Sequence, residues 1–213
     1  MDYYRDVDEE CEITEFGADF VRQEKKKQVS WLEGMAKWMV KILLCVTFLL
    51  MFQALFLNAE IPSESMESTI MTGDRIFGWK LAYSENKKPE RYDIVIFKDI
   101  TGNGKYLIKR VIGLPGETLV FRNGYVYVDG SSEPLDDSFC QEQGVTTQGN
   151  LPGDTVVIPD DCYFVMGDNR LNSLDSRYWV NGRGASVPYV PEDYILAKAV
   201  FRYFPLKKIG TID

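Results

Sequence analysis

Hydrophobic and polar positions follow two different rhythms along this chain. Ile42 to Ala59 contains no charged residue, and Gln53 is its main polar interruption. A run that is apolar on every side does not suit a helix lying on a soluble core, which shows one apolar stripe. It is about long enough to cross the hydrocarbon layer, the more so if Lys41 extends its amine to the headgroups. The roughly forty residues before it are too many and too acidic for the start of a cleaved secretory signal. The pattern predicts a single transmembrane helix over 37–59. Before it comes a segment, 1–36, made of an acidic tail and a basic juxtamembrane stretch.

Beyond residue 60 the rhythm shortens to two. Phe77, Trp79, Leu81 and Tyr83 alternate with smaller or polar residues, as in a strand with one apolar face. Asp93–Phe97, Tyr106–Ile112, Thr118–Phe121, Tyr125–Val128, Thr155–Ile158, Tyr163–Met166 and Tyr194–Tyr203 read as further strands. Gly113-Leu-Pro-Gly116 and Asn123-Gly124 supply turns, the latter a strong hairpin signal. Residues 129–153, rich in Gly, Ser, Asp and Gln, read as a polar surface excursion. Short strands, many turns and no long soluble helix predict a mainly β domain over 60–213, an antiparallel barrel-like or sandwich-like fold.

Composition narrows the function. With 24 Lys and Arg against 32 Asp and Glu, the 213-residue chain carries a net charge of −8, which argues against nucleic acid as a partner. It has no histidine, so a Ser-His-Asp triad and any His-containing metal site are excluded. Cys11, Cys45, Cys140 and Cys162 form no CxxC pair, and no metal or other cofactor is expected. Residues 1–24, acidic from Asp2 to Asp19, read as a poorly ordered tail. Lys25, Lys26, Lys27, Lys37 and Lys41 precede the span, whereas only Arg75 and Lys80 fall in the twenty or so residues after it. The positive-inside rule then puts the N-terminus in the cytoplasm and 60–213 on the outer face of the cell membrane. A Cys140–Cys162 disulfide is compatible with that topology, and spacing alone does not decide it. Phe77, Trp79 and Tyr83 are open to two readings, resting on the lipid surface or filling the core.

The candidate chemistry lies just after the span, in Ser63-Glu64-Ser65-Met66. Ser65 is eight residues past Leu57, a reach of about 25 Å at most, so it works close to the membrane surface. A serine needs a neighbour to take its proton, and here histidine is not available. A lysine can serve if an apolar site strips its charge, at a cost of roughly 4 kcal/mol for about three pH units. Lys87, Lys88, Lys98, Lys105, Lys207 and Lys208 sit among charges or polar turns. Lys109 shares a strand face with Leu107 and Val111, while Ile108, Arg110 and Ile112 point the other way. Periodicity alone also fits an edge-strand lysine turned to solvent. Ser84-Glu-Asn-Lys87 matches S-x-x-K but lies in a hydrophilic loop without the partner motifs of that pattern.

Four segments occur in order: Ser63-x-Ser65-Met66-x-x-Thr69, Arg91-x-Asp93-Ile-Val-Ile-Phe97, Lys109-Arg110-Val-Ile-Gly-Leu-Pro-Gly116-Glu117, and Gly167-Asp168-Asn-Arg170-x-Asn172-Ser173-x-Asp175-Ser-Arg177. Alone, the last would read as a turn cluster. Together they resemble the boxes of bacterial type I signal peptidases, membrane proteases of the Ser-Lys kind, from the span to about residue 180. The resemblance implies Ser65 as nucleophile, Lys109 as general base and Ser63 in the oxyanion hole. It also implies Ser173 as the group orienting the lysine, with Asp175 and Arg177 in support. The substrates it implies are exported preproteins with A-x-A-type cleavage sites, cut at the bilayer surface. Glu64 and Ser68 depart from the pattern, which usually has a small residue and a proline there, and Glu64 is expected to face solvent. Two other readings remain: a Ser-Lys processor of surface subunits, and a membrane-tethered β domain without catalysis.

Overall fold

A computed structural model describes residues 5–100 and 104–212; the start of the acidic segment, with Asp2, lies outside the described residues. The chain divides at Phe52 into an N-terminal helical unit and a β-rich unit. Helix α1 runs from Arg5 to Leu55. It therefore continues through most of the stretch expected to be a poorly ordered tail. It stops at Leu55 rather than Ala59, because Phe56–Glu60 is taken up as strand β1. Phe20–Leu55 is long and apolar enough to cross a membrane, the one such helix among the described residues. Ile42, Leu43, Leu44, Phe48 and Leu50 project around it with no polar face between them.

The second unit is built from β1 and ten further strands. These are β2 (Arg75–Trp79), β3 (Ile94–Lys98), β4 (Tyr106–Gly113), β5 (Thr118–Arg122), β6 (Tyr125–Val128), β7 (Thr155–Val157), β8 (Cys162–Met166), β9 (Val190–Pro191), β10 (Ile195–Phe204) and β11 (Gly210–Thr211). The larger sheet has the order β1-β2-β10-β3-β4-β8-β9 with β11 beside β10; the smaller is β6-β5-β7. Every strand pair is antiparallel. The fold is thus mainly antiparallel β with one N-terminal apolar helix, as the pattern predicts. The sheets do not close, so the barrel is not formed.

β3 and β4 are central strands buried on both faces, which their unbroken Ile, Val and Phe content suits. On one face Ile94, Ile96 and Ile108 pack with Ile61, Met66, Ile70 and Ile76, seating the segment that carries Ser65. On the other, Val95, Phe97 and Val111 pack with Val165 and Trp179. β8 pairs with β4 only from Arg110 onward, so the backbone edge of Leu107–Lys109 on that side has no strand beside it. Asn123 and Gly124 turn the β5–β6 hairpin with φ of 52° and 83°, the two left-handed residues such a turn requires.

The structure alters one reading of the chain and decides two that were open. β2 ends at Trp79, and its buried face is Ile76 and Gly78, not Phe77 and Trp79. Period two gives two faces without saying which is inner. Gly78 decides it, since a Cβ there would come within 2.6 Å of Ile96 Cδ1. The aromatics turn outward, where Phe77 stacks on Tyr203 at 4.4 Å and Phe56 packs edge-on to Trp79 at 5.6 Å. Tyr83 instead joins the inner cluster and donates to Asp93. Secondly, residues 129–153 are more than a surface excursion, for Cys140, Thr146 and Leu151 are buried. Thirdly, Cys140 and Cys162 are free thiols, with no disulfide between them. Burial pushes the Cys140 thiol up to about 11.

Candidate active site

Ser65 lies in a single 3₁₀ turn, Glu64–Met66, that follows Ser63 in extended conformation. The turn is short because Met66 drops into the core and Glu67 returns to extended backbone. Met66 therefore anchors the turn and holds Ser65 at the rim of the sheet. The Ser65 hydroxyl is 2.6 Å from Lys109 Nζ and 3.3 Å from Ser63 Oγ. Lys109 Nζ also donates to the carbonyl of Ile108, its own strand neighbour, at 3.1 Å.

Lys109 is 4% exposed and stands opposite Val95 on β3. Burial among apolar groups lowers its pKa to about 8, against the smaller opposing pull of Asp175 and Asp168. The edge-strand alternative does not hold, because the amine is inside. An amine with a reduced pKa at hydrogen-bond distance from a serine hydroxyl can take up that proton.

The Gly167–Arg177 box packs behind the pair. A Cβ on Gly167 would lie 2.3 Å from both Ser65 O and Ser173 Oγ, so only glycine permits this approach. Asn169 N–H donates to Ser65 O at 3.1 Å, fixing the peptide of Ser65. Asp175 is fully buried and accepts from Arg177 Nε and Nη2, at 2.9 and 2.8 Å, and from Gly167 N–H at 3.0 Å. Burial alone would raise the Asp175 carboxyl, but Arg177 and these donors hold it below its ordinary value. Ser173 does not bond to Lys109. Its buried hydroxyl oxygen has no partner in hydrogen-bonding geometry, although it lies close enough to Asp175 to help keep that carboxylate ionised.

The sequence left a second network without a role. Arg110 turns to the opposite face of β4 and grips Asp168 with Nε to Oδ1 at 2.9 Å and Nη2 to Oδ2 at 2.8 Å. Thr69 Oγ1 donates to Asp168 Oδ2 at 2.6 Å and accepts from Arg110. Three of the four boxes are tied by one carboxylate. Phe139, from the excursion, lies against the Arg110 guanidinium at 4.2 Å and faces Arg170 at 5.7 Å. The only signal for this was the charged residues inside the boxes themselves.

The two departures from the family pattern have distinct settings. Glu64 is exposed, as expected, and accepts from Asn172 Nδ2 at 2.9 Å. Ser68 has φ of 94° and donates its hydroxyl to Phe139 O. Proline, fixed near −65°, cannot adopt that backbone, so the usual residue would not fit this turn. Among the described residues no three His, Cys, Asp or Glu are gathered to hold a metal ion.

A serine hydroxyl against a desolvated lysine, on an antiparallel β unit that follows an apolar helix, defines a class: a serine hydrolase that works without histidine. Residues 34–204 match the family model described as signal peptidase, peptidase S26. The chain is 38% identical over 180 residues to a probable signal peptidase I-1 of Synechocystis, covering 80% of this chain and 84% of that protein. It is 35% identical over 205 residues to a probable signal peptidase I-2 of the same organism, covering 91% and 85%. A signal peptidase I T of Bacillus subtilis is 35% identical over 191 residues, covering 87% and 91%. The chain belongs to the signal peptidase family, peptidase S26, and is a serine endopeptidase.

Proposed function

We propose that this protein removes signal peptides from exported preproteins through Ser65 and Lys109. The observation that carries the assignment is the 2.6 Å approach of the buried Lys109 amine to Ser65 Oγ. Neutral Lys109 takes the hydroxyl proton as Ser65 Oγ bonds to the scissile carbonyl carbon. The resulting ammonium gives that proton to the departing amine, so the peptide C–N bond breaks and an ester to Ser65 remains. Lys109 then takes a proton from water as the water oxygen bonds to the ester carbon, and gives that proton to Ser65 Oγ as the ester C–O bond breaks, which restores both groups. The Ser65 N–H and the Ser63 hydroxyl stabilise the oxyanion, each such donor contributing about 10²–10³ in rate. Ser173, Asp175 and Arg177 support the box that packs against Ser65 and Lys109.

The substrate lies extended in a groove of about 390 Å³ between Asn58–Pro62, at the end of β1, and Tyr106–Ile108 of β4. Both strands offer open backbone edges there, and a peptide laid between them adds a strand. The groove shares Pro62 with a second cleft of about 390 Å³ that holds Ser65 and Lys109. Ile61, Ile96 and Ile108 fill the floor, which supports small side chains one and three positions before the cut, as in A-x-A.

The domain organisation we propose is a cytoplasmic N-terminus, a span within α1 and an outer catalytic unit, consistent with the lysines that precede the span. The aromatic row Phe56, Phe77, Trp79 and Tyr203, with Phe204 and Leu206 exposed beside it, suits contact with the lipid surface. The test is cleavage of a preprotein by the full chain in detergent. Wild type is expected to release the mature protein, with Ser65→Ala and Lys109→Met inactive. Cleavage at the wild-type rate by either variant overturns the assignment.

A further inference from the structure

Glu64 separates the two serines of the site, and its carboxylate stands in the mouth of the cleft that holds Ser65 and Lys109. Asn172, which also lines the cleft, donates to it at 2.9 Å from the Gly167–Arg177 box, so the exposed side chain is held there by a partner. No other carboxylate lines that cleft among the described residues. Lys109, the cation of that cleft, is buried against Ser65, whereas Glu64 is exposed, so the charge a passing side chain meets at the surface of the cleft is that of Glu64.

The two ends of the combined groove differ in chemistry. Ala59, Ile61, Ile96, Leu107 and Ile108 give the end beyond Pro62 its apolar lining, where Glu60 and Lys105 bring charges of both signs, and that end suits the segment before the cut. Glu64, Asn172 and exposed Leu174 line the second cleft, with Ser65 and Lys109, and are absent from the lining of the first. An extended chain with its scissile carbonyl at Ser65 and its preceding residues in the first groove carries its following residues into the cleft that Glu64 lines.

Building on the peptidase reading above, we infer that Glu64 is a specificity-determining residue for the first residues after the cut. Its carboxylate favours a cationic side chain there and disfavours an acidic one. Glu64 is exposed, so the effect has the size of a surface ion pair, roughly threefold to fivefold in kcat/KM between Lys and Glu substrates. Salt screens such a pair, so the discrimination shrinks as ionic strength rises.

The test uses the full-length protein in detergent with one preprotein carrying Ala, Lys or Glu at the first position after the cut. Wild type is expected to cleave the Lys form about threefold to fivefold more efficiently than the Glu form at low salt. Glu64→Gln preserves an acceptor for Asn172 while removing the charge, and should bring the ratio to about one. Glu64→Lys should invert it. A wild-type ratio of one, or a ratio unchanged in Glu64→Gln, overturns the inference while cleavage of the Ala form leaves the peptidase reading standing. No cleavage of the Ala form by wild type contradicts the peptidase reading itself and removes the inference with it.

Discussion

Two neighbouring cations on β4 are buried almost equally, Lys109 at 4% and Arg110 at 3% exposure, and they meet opposite fates. Arg110 faces Asp168 and Thr69, which match its guanidinium with two carboxylate oxygens and a hydroxyl. Lys109 faces Val95, Leu107 and Val111 on its sheet face, and its nearest polar partners are a serine hydroxyl and a peptide carbonyl. The first cation ties three segments together. The second is pushed toward losing its proton. What decides whether a buried cation is structural or reactive is the presence of a matched anion, not depth of burial.

The comparison can be broken most sharply at Lys109. Lys109→Met should lower kcat/KM for a preprotein by at least about 10³-fold, since it removes the proposed base and with it the partner of the Ser65 hydroxyl. Next in size is Arg110→Met, which strands Asp168 as a buried charge. Removing one partner of such a pair costs about 3–5 kcal/mol, read as a drop in the denaturation midpoint of the full chain in detergent. Stability equal to wild type would mean that the pair does not hold the boxes together.

The same assay sharpens the contrast, because Lys109→Met should move the other way. Folding lowers the Lys109 pKa from 10.5 to about 8, a difference that costs about 3 kcal/mol at neutral pH. Since the unfolded chain binds more protons between those values, this group makes stability rise as pH climbs from about 8 to 10.5. Below 8 its full cost is present. Lys109→Met should therefore stabilise at pH 7 by up to about 3 kcal/mol while abolishing cleavage. The smallest effect concerns the turn below the site. Ser68→Pro forbids φ of 94° and removes the bond to Phe139 O, for an expected loss of about 1–3 kcal/mol. An unchanged midpoint would show that the turn adapts to proline.

Much of this was legible in the chain itself. The unbroken apolar run marked the helix, and the alternation at 106–112 put Lys109 on a face with Leu107 and Val111. Residue order could not give what depends on distant partners. Helix α1 ends at Leu55 because β2 pairs with the next five residues, a contact no local pattern encodes. Phe77 and Trp79 turn outward because Gly78 must pass under Ile96. Phe139 lies against Arg110 through an excursion whose composition reads as plain loop. Ser173, which the resemblance implies orients the lysine, has its hydroxyl beside Gly167 and without a hydrogen-bond partner, a setting that depends on how the Gly167–Arg177 segment turns back on itself.

The most direct measurement is the pH dependence of kcat/KM for preprotein cleavage by the full-length wild type, which reports the ionisation of the free enzyme's base. Activity should rise with a single ionisation centred at about pH 8 and level off above it, as a lysine held in an apolar site becomes neutral. A profile that is flat from pH 6 to 9, or that is still climbing with a midpoint near the ordinary lysine value, would contradict a desolvated Lys109 as the base.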